Sequence, residues 1–251
     1  MCSFVPTNGS ALKKFWTYLC WGIFGFLLPF SLEAQEEQPL EPEIKVVDSL
    51  YREDQFYFTF TYNTAGNLDG LSQKKFSPGI GIGFLRDMPI NKARTYAVAL
   101  GLGYSLAVYN HNLYQYPNPT PNGTAYTYEL ISGDTFFQRN RLTQHFIEVP
   151  LEFRWRASTL SSHKFWRIYT GFKVSYLLAD TYRFQNDVQS VTFRNNPDLN
   201  KLLYGCYLTA GWNTWNLYLY YGLNALYKNA EVNGVPMNLR NLNIGLQFYI
   251  L

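Results

Sequence analysis

The last residues of the chain alternate strictly between two kinds of side chain. Every second position from 242 to 250 is large and apolar, and the positions between them are polar, small or tyrosine. A period of two places successive side chains on opposite faces of a β-strand. The alternation predicts a strand over 241–251 with one continuous apolar face. A final strand of this kind is typical of a barrel in which the last strand pairs with the first.

Seven further segments alternate in the same way. The contrast is strongest in 95–109, where large residues such as Leu100 and Leu102 alternate with glycine, alanine and serine. Large residues outward and tiny residues inward suit a narrow barrel in lipid, because its lumen has little room. The predicted strands are 55–63, 76–85, 95–109, 144–156, 166–178, 202–212, 217–227 and 241–251. The predicted fold class is therefore all-β, an eight-stranded antiparallel up-and-down transmembrane β-barrel.

The alternative fold is a soluble β-sandwich or a lipocalin-like barrel, which would also alternate. Such a protein turns its apolar residues inward and covers its surface with polar side chains. Here the face opposite the apolar one carries mainly glycine and alanine in the second and third strands. That face leaves little to cover a soluble surface, which favours the membrane barrel.

The amino-terminal part predicts export. Lys13 and Lys14 precede an apolar stretch at 15–30, followed by Ser31, Leu32, Glu33 and Ala34. This order is typical of a cleaved secretory signal peptide over 1–34. Residues 35–54 hold seven acidic residues against Lys45 and Arg52 and are predicted to form an acidic periplasmic leader. The barrel domain is expected over 55–251.

Loop lengths predict the orientation in the membrane. The segments 64–75, 110–143, 179–201 and 228–238 alternate with the shorter segments 86–93, 157–165 and 213–216. Long external loops and short periplasmic turns are the rule in outer-membrane barrels. The sequence therefore predicts an integral outer-membrane protein, in contact with outer-membrane lipid, with its leader and carboxyl terminus in the periplasm. Pro150 in the fourth strand predicts a β-bulge there, because proline cannot donate to the ladder.

Charged residues fall on the predicted inward face of two neighbouring strands. They are Glu148, Glu152, Arg154, Arg167 and Lys173. Charges inside a barrel must pair or remain hydrated. Because an eight-stranded lumen is just wide enough for side chains to fill it, we interpret this set as a salt-bridged plug. The alternative is an ion path or a proton-sensitive gate.

The sequence gives no indication of catalysis. The histidines His111, His145 and His163 have no nucleophile and acid at the spacing of a hydrolase triad. The residue pattern contains no metal-binding cluster, no phosphate-binding glycine motif and no basic stripe for nucleic acid. We therefore expect no enzymatic activity, no cofactor, no metal, no nucleic-acid partner and no small-molecule substrate.

The two longest loops are rich in aromatic residues and arginine, which are favoured at protein interfaces. The candidate partner-contact residues are Tyr114, Tyr116, Tyr126, Tyr128, Tyr182 and Arg183. The alternative is that these side chains extend the barrel above the membrane and pack on each other.

Three stretches carry a resemblance to a known family. They are the leader into strand one (50–57), the segment from Phe76 to Pro89, and the segment from Phe146 to Arg156. Together they resemble the PorT family of Bacteroidetes, over most of 50–251. The residues from Asn243 to Ile250 also resemble the carboxyl-terminal assembly signal of bacterial outer-membrane proteins.

The PorT resemblance implies a small outer-membrane barrel required for type IX (Por) protein secretion. It implies an accessory role in the export of cargo proteins with C-terminal sorting domains, and it brings no active-site residues. The expected partners are other secretion-system subunits or cargo proteins. The competing hypothesis is a general small porin or a structural barrel of the outer membrane.

Overall fold

The computed structural model describes residues 54–66, 68–91, 95–120, 123–132, 136–157 and 166–250. The predicted signal peptide (1–34) and nearly all of the predicted leader (35–54) lie outside these residues. No helix in the described part of the chain is long and apolar enough to cross a membrane.

The described residues form an all-β structure with these strands: β1 Gln55–Gly66, β2 Pro78–Pro89, β3 Tyr96–Asn110, β4 Leu113–Thr120, β5 Gly123–Leu130, β6 Arg139–Arg156, β7 Trp166–Gln185, β8 Ser190–Arg194, β9 Leu202–Trp212, β10 Trp215–Gly222, β11 Glu231–Val232, β12 Val235–Pro236 and β13 Arg240–Ile250.

Eight of these strands close into one barrel, in the order β1, β2, β3, β6, β7, β9, β10 and β13. Each is antiparallel to its neighbours, and β13 pairs with β1 from Phe56↔Ile250 to Gly66↔Arg240. The predicted fold class is confirmed. We call the end of the barrel where β1 begins and β13 finishes the terminal end, and the opposite end the loop end.

The barrel wall has the reverse of a soluble protein's polarity. Leu102 is 61% exposed and Leu217 is 69% exposed, whereas Ala99 is fully buried. Aromatic side chains lie outward at both rims: Trp166 contacts Trp212 (ring centroids 5.5 Å apart) at the terminal end, and Tyr62 contacts Phe76 (5.5 Å) toward the loop end. An apolar band between aromatic girdles is what a bilayer imposes on a transmembrane barrel.

Three of the predicted loops, 110–143, 179–201 and 228–238, contain strands. The segment 110–143 holds the hairpin β4–β5, and β11 and β12 join it in a four-stranded sheet ordered β12, β11, β5, β4. Within 179–201, β7 continues to Gln185 and β8 pairs with it. The strands run past the lipid-facing band because their upper parts are held by a core of their own.

That core closes the loop end, and we call the structure that contains it the cap. Its buried apolar residues are Ala65, Ala107, Tyr109, Leu113, Tyr128, Leu142, Phe146, Leu177, Tyr182, Phe184, Leu199, Leu203, Leu226, Tyr227, Ala230, Val232, Met237 and Leu239. The seventh barrel strand, predicted over 217–227, is shorter than expected. The strand β10 finishes at Gly222, and Tyr227 beyond it is only 3% exposed, in the core of the cap.

The bulge predicted at Pro150 lies elsewhere. Pro150 pairs in register with Lys173 of β7, and the register shift occurs between His145 and Phe146, opposite Leu178. Pro150 is accommodated because pairing with β3 is interrupted beside it, between Leu100↔Leu151 and Gly103↔Glu148, without a change of register. A missing donor costs little where no ladder bond is made.

The bulge on β7 changes which face its apolar residues occupy. Below the bulge Phe172, Tyr176 and Leu178 face outward, and above it Tyr182 and Phe184 are buried in the cap. All five are even-numbered, so the sequence keeps its period of two through the bulge. One extra residue exchanges the two faces of a strand. In β7 the even-numbered residues therefore face lipid up to the bulge and the core of the cap after it.

Candidate functional site: the barrel lumen

The inner wall is shaped by glycines that lie beneath tyrosine rings. A Cβ atom on Gly83 or Gly103 would overlap the ring of Tyr57, and one on Gly171 would overlap the ring of Tyr207. Gly83 is the cross-strand partner of both Tyr57 and Gly103. The missing side chains make room for large rings to lie flat against the wall. Tyrosines thus fill the lumen and present their hydroxyls to its charged groups.

Arg154 lies at the centre of the charged group nearer the terminal end. Its side chain donates to Asp87 Oδ1 (2.8 Å) and to Glu152 Oε2 (2.8 Å). Arg156 donates to the other oxygen of Asp87 (2.7 Å). The side chains of these four residues are at most 1% exposed. An unpaired charge at such depth would cost several kcal/mol. Loss of any one of these side chains would therefore leave a buried charge without its partner.

Tyrosines complete the coordination of this group. The hydroxyls of Tyr207 and Tyr249 both donate to Glu152 Oε1, at 2.9 and 3.0 Å. The guanidinium of Arg154 also lies 5.0 Å from the ring centroid of Tyr169, within the range of a cation–π contact. Glu152 is therefore held by one guanidinium and two phenols, an arrangement that fixes a carboxylate in place.

A second ion pair lies nearer the middle of the barrel. Lys173 Nζ is 3.0 Å from Glu148 Oε1 and donates to the hydroxyl of Tyr218 (3.1 Å). Ser105 and Ser175 also donate to Glu148 Oε1, at 2.7 and 3.3 Å. The carboxylate is thus contacted from β3 and β7, the two neighbours of its own strand.

Arg167 also lies inside the barrel. It is 5% exposed and is the direct cross-strand partner of Arg156. The structure therefore brings all five of the predicted lumen residues to the interior, in two groups along β6 and β7. Four ion pairs join Glu148, Glu152, Arg154 and Lys173 with each other and with Asp87 and Arg156.

The remaining space in the lumen is small. One cavity of about 40 Å³ lies between Glu148, Lys173 and Tyr218, and another of about 20 Å³ lies beside Tyr220 toward the cap. Since one water needs roughly 10–15 Å³ of such volume, each cavity holds a few waters at most. The geometry supports the interpretation of the lumen as a hydrogen-bonded plug.

The predicted partner-contact residues separate into two groups. Tyr128 and Tyr182 are 2% and 1% exposed, so they pack in the cap and present almost no surface to a partner. Tyr114, Tyr116 and Tyr126 are half-buried, and Arg183 is exposed. Tyr114 packs edge-on against Phe184 (4.5 Å between centroids), which is the alternative of mutual packing above the membrane.

A buried polar cluster fastens the cap to the barrel. Asn196 donates through its side-chain amide to the Tyr128 hydroxyl (2.8 Å), and its backbone N–H donates to Asp180 (3.1 Å). The Tyr128 hydroxyl in turn donates to Asp198 (3.0 Å). Burial raises the pKa of Tyr128, so its hydroxyl keeps its proton and remains a donor. The hairpin is thus anchored to the segment between β8 and β9.

His111 is buried at the start of the hairpin. Burial lowers its pKa to about 4, and the backbone N–H of Leu113 donates to its Nδ1 (3.3 Å). The imidazole is therefore neutral at physiological pH. His145 lies on the outward face instead, where its Nδ1 is 2.6 Å from the Tyr104 hydroxyl. His163 lies outside the described residues.

The most important lumen residue that sequence reasoning missed is Asp87. The sequence predicts a turn over 86–93, but β2 continues to Pro89 and places Asp87 inside the barrel. Extending the inward set of Gly79, Gly81 and Gly83 by two further alternations reaches it. The inward tyrosines were also missed as a group, although inward glycines on neighbouring strands were a signal that large rings face them.

The described residues contain no group of three His, Cys, Asp or Glu side chains that could hold a metal ion. A family model described as an outer membrane protein beta-barrel domain matches residues 33–228. No curated protein matches the chain.

Proposed function

The chain belongs to the family of outer-membrane proteins with a β-barrel domain, and on that premise we propose that it is a non-enzymatic accessory component of type IX protein secretion. In this role it supports the export of cargo with C-terminal sorting domains by contact, without conducting cargo or solute. Its leader and carboxyl terminus are then periplasmic and the loop end faces the exterior.

The observation that carries the contact role is the closed lumen. In the described part of the barrel, the lumen cavities of about 40 and 20 Å³ are too small for more than a few waters. The cap adds a second closure at the loop end, with a core of its own. With both the lumen and the loop end closed, the outer surfaces of the barrel are the parts that can contact other molecules, and the interior groups stabilise the fold.

The assignment to type IX secretion is supported by the resemblance of 50–57, 76–89 and 146–156 to the PorT family. Surfaces for contact exist at the loop end. Phe136 is 70% exposed, Val188 is 91% exposed and Val235 is 59% exposed. Single exposed apolar residues are common on protein surfaces, and a role in contact therefore has to be tested. We propose these three as the first positions.

The test is deletion of the gene in its native host. Surface and medium proteomics should show proteins with C-terminal sorting domains retained in the periplasm, while uptake of small hydrophilic solutes stays at the wild-type level. Complementation with the wild-type gene should restore export. Normal export in the deletion strain would reject the secretion role and leave an outer-membrane barrel with another task.

A second experiment separates contact from conduction. The double variant E148A/K173A removes the central ion pair and enlarges the cavity, and the variant V188D alters only an exposed tip. If the protein acts by contact, V188D lowers export. The matched control is S190D, which adds the same charge at an exposed position two residues along the chain and should leave export unchanged. A porin would instead show altered solute flux in E148A/K173A, measured in planar bilayers with the purified protein.

A further inference from the structure

The outward face of β6, β7 and β8 carries four arginines just beyond the lipid-facing band. They are Arg139 and Arg141 on β6, Arg183 on β7 and Arg194 on β8. We call this set the arginine patch. Arg139, Arg183 and Arg194 are exposed, and Arg141 is half-buried with its Nε donating to Asn110 (3.0 Å). The patch belongs neither to the lumen nor to the cap core.

Strand register brings the four arginines together around Arg183. Arg141 is its direct cross-strand partner on β6. Arg139 pairs with Gln185 and Arg194 pairs with Thr181, so both lie diagonally from Arg183. Directly opposed side chains have Cβ atoms about 5 Å apart, and diagonal ones about 7 Å. A ligand bound by Arg183 is therefore within reach of each neighbouring arginine of the patch.

No acid balances this charge on the same surface. The outward residues over 139–145, 179–185 and 190–194 include threonines, His145 and Gln185, and none is Asp or Glu. Asp180 on β7 is buried on the inward side of the wall. The exposed carboxylate of Asp187 lies in the turn between β7 and β8, where it accepts from the Gln138 side chain (3.0 Å). Like charges directly opposite each other destabilise a sheet, so the patch favours a bound anion.

The position of the patch indicates what kind of anion it binds. Directly below it on the same strands are Ile147, Tyr176 and Leu178, which are 41–49% exposed and belong to the lipid-facing band. The Tyr104–His145 contact lies between the two levels. A molecule with acyl chains on the band would place its headgroup at the height of the arginines. One guanidinium group can bind two phosphate oxygens at once, through two parallel hydrogen bonds.

We propose that the arginine patch binds the phosphate groups of an anionic lipid in the leaflet that surrounds the loop end. The acyl chains lie on the outward face of β6 and β7, and Arg183 is the central phosphate ligand. Thr181 and Thr192, which pair with Arg194 and Arg183 respectively, offer hydroxyls at the same level. This proposal does not depend on a role in secretion.

The test uses the full chain folded in a neutral detergent, with lipid A carrying two phosphates as the probe. Native mass spectrometry counts bound lipid as its concentration is raised. The double variant R183Q/R194Q should need at least about tenfold more lipid for half-saturation, a factor that corresponds to roughly 1.4 kcal/mol. R183K/R194K keeps the charge but loses the planar fork, and should fall between the two.

The matched control is R86Q/K228Q, which removes the same number of positive charges from exposed residues outside the patch. It should bind lipid A as the wild type does, and far-ultraviolet circular dichroism should show that every variant is folded. Unchanged binding by R183Q/R194Q overturns the proposal, as does an equal loss in the control. Full displacement of lipid A by an equal concentration of inorganic phosphate would also overturn it, because the site would then recognise the ion alone.

Discussion

The two halves of the barrel interior are filled in opposite ways. Toward the terminal end the interior is charged, with Asp87, Glu152 and Arg154 each fully or almost fully buried. Toward the loop end it is mainly apolar, with residues such as Leu203 and Phe184 in the core of the cap and a small polar cluster around Asn196. The same strands, β6 and β7, run through both halves.

The environment outside the wall explains this difference. Where the wall faces lipid, its apolar side chains are placed outward, and the interior is left with polar and charged groups that must satisfy each other. Where the wall faces water, the apolar side chains return to the inside. The interior of each half is therefore the complement of what surrounds it, and the bulge on β7 marks the change.

The largest expected effect comes from breaking the charged half. Arg154→Ala leaves Asp87 and Glu152 without their shared cation, and removal of one partner from a buried ion pair costs roughly 3–5 kcal/mol. We expect a cost at the top of that range, read from urea unfolding of the protein in lipid vesicles. Arg86→Ala is the control, because Arg86 is half-exposed and only 3.9 Å from Asp54. A loss in Arg154→Ala no larger than in the control would mean that the plug does not stabilise the barrel.

Breaking the apolar half should have a smaller and more local effect. Phe184→Ala removes a ring that is 3% exposed, and such truncations cost roughly 3–5 kcal/mol. We expect the lower end, because the cap can relax toward solvent. Amide hydrogen exchange should rise in β4–β5 and stay low in β9 and β10. Val188→Ala, at a 91% exposed position, should leave exchange unchanged, and uniform acceleration over all strands would show that the two halves unfold together.

Acid should weaken the cap in a defined range. The pKa of His111 is about 4 in the folded protein and about 6.5 in an unfolded chain, so the unfolded state binds a proton first. The contribution is complete above pH 6.5 and is lost as the pH falls toward 4, by about 3 kcal/mol in total. Hydrogen exchange of the β4–β5 amides, corrected for intrinsic rates, should follow this slope. In His111→Asn the slope should disappear, and its persistence would assign the effect to another group.

The smallest of these effects concerns the fit between tyrosines and glycines. Gly103→Ala places a methyl group where the Tyr57 hydroxyl lies, and overpacking of this kind costs about 1–3 kcal/mol. Gly66→Ala is the matched control, because a Cβ atom there meets nothing within 4 Å. The difference in urea midpoint between these two variants measures how tightly the lumen is filled. Equal midpoints would mean that Tyr57 moves aside without cost.

The barrel half of the molecule could be predicted from the sequence because lipid enforces a strict rule. The alternation in β3 favours a membrane barrel because large residues face one side and glycine, alanine and serine face the other. The predicted strand bounds agree within a few residues for most of the barrel. The predicted lumen residues Glu148, Arg154 and Lys173 could be placed inside by counting alternate positions.

The cap could not be predicted in this way, because its contacts join residues far apart in sequence. The parallel bridge between Val232 and Tyr128 and the hydrogen bond from Tyr128 to Asp198 depend on how three connecting segments fold over each other. The position of the bulge, at Leu178 of β7, could not be predicted from the sequence either, because the period of two continues through it. Pro150 is the residue at which the sequence predicts a bulge. The interrupted pairing with β3 beside it accommodates the proline without one.

The seam between β1 and β13 has a consequence for the order of events during synthesis. It pairs Phe56 with Ile250 along an uninterrupted register up to Gly66 and Arg240, which are among the most distant residues of the barrel in sequence. Contacts of such separation form late, because the loop-closure entropy is lost before they contribute. Until β13 is available, β1 and the strands after it have open edges that can pair with other chains. The cell must therefore keep this chain apart from its neighbours for the whole time between the first strand and the last.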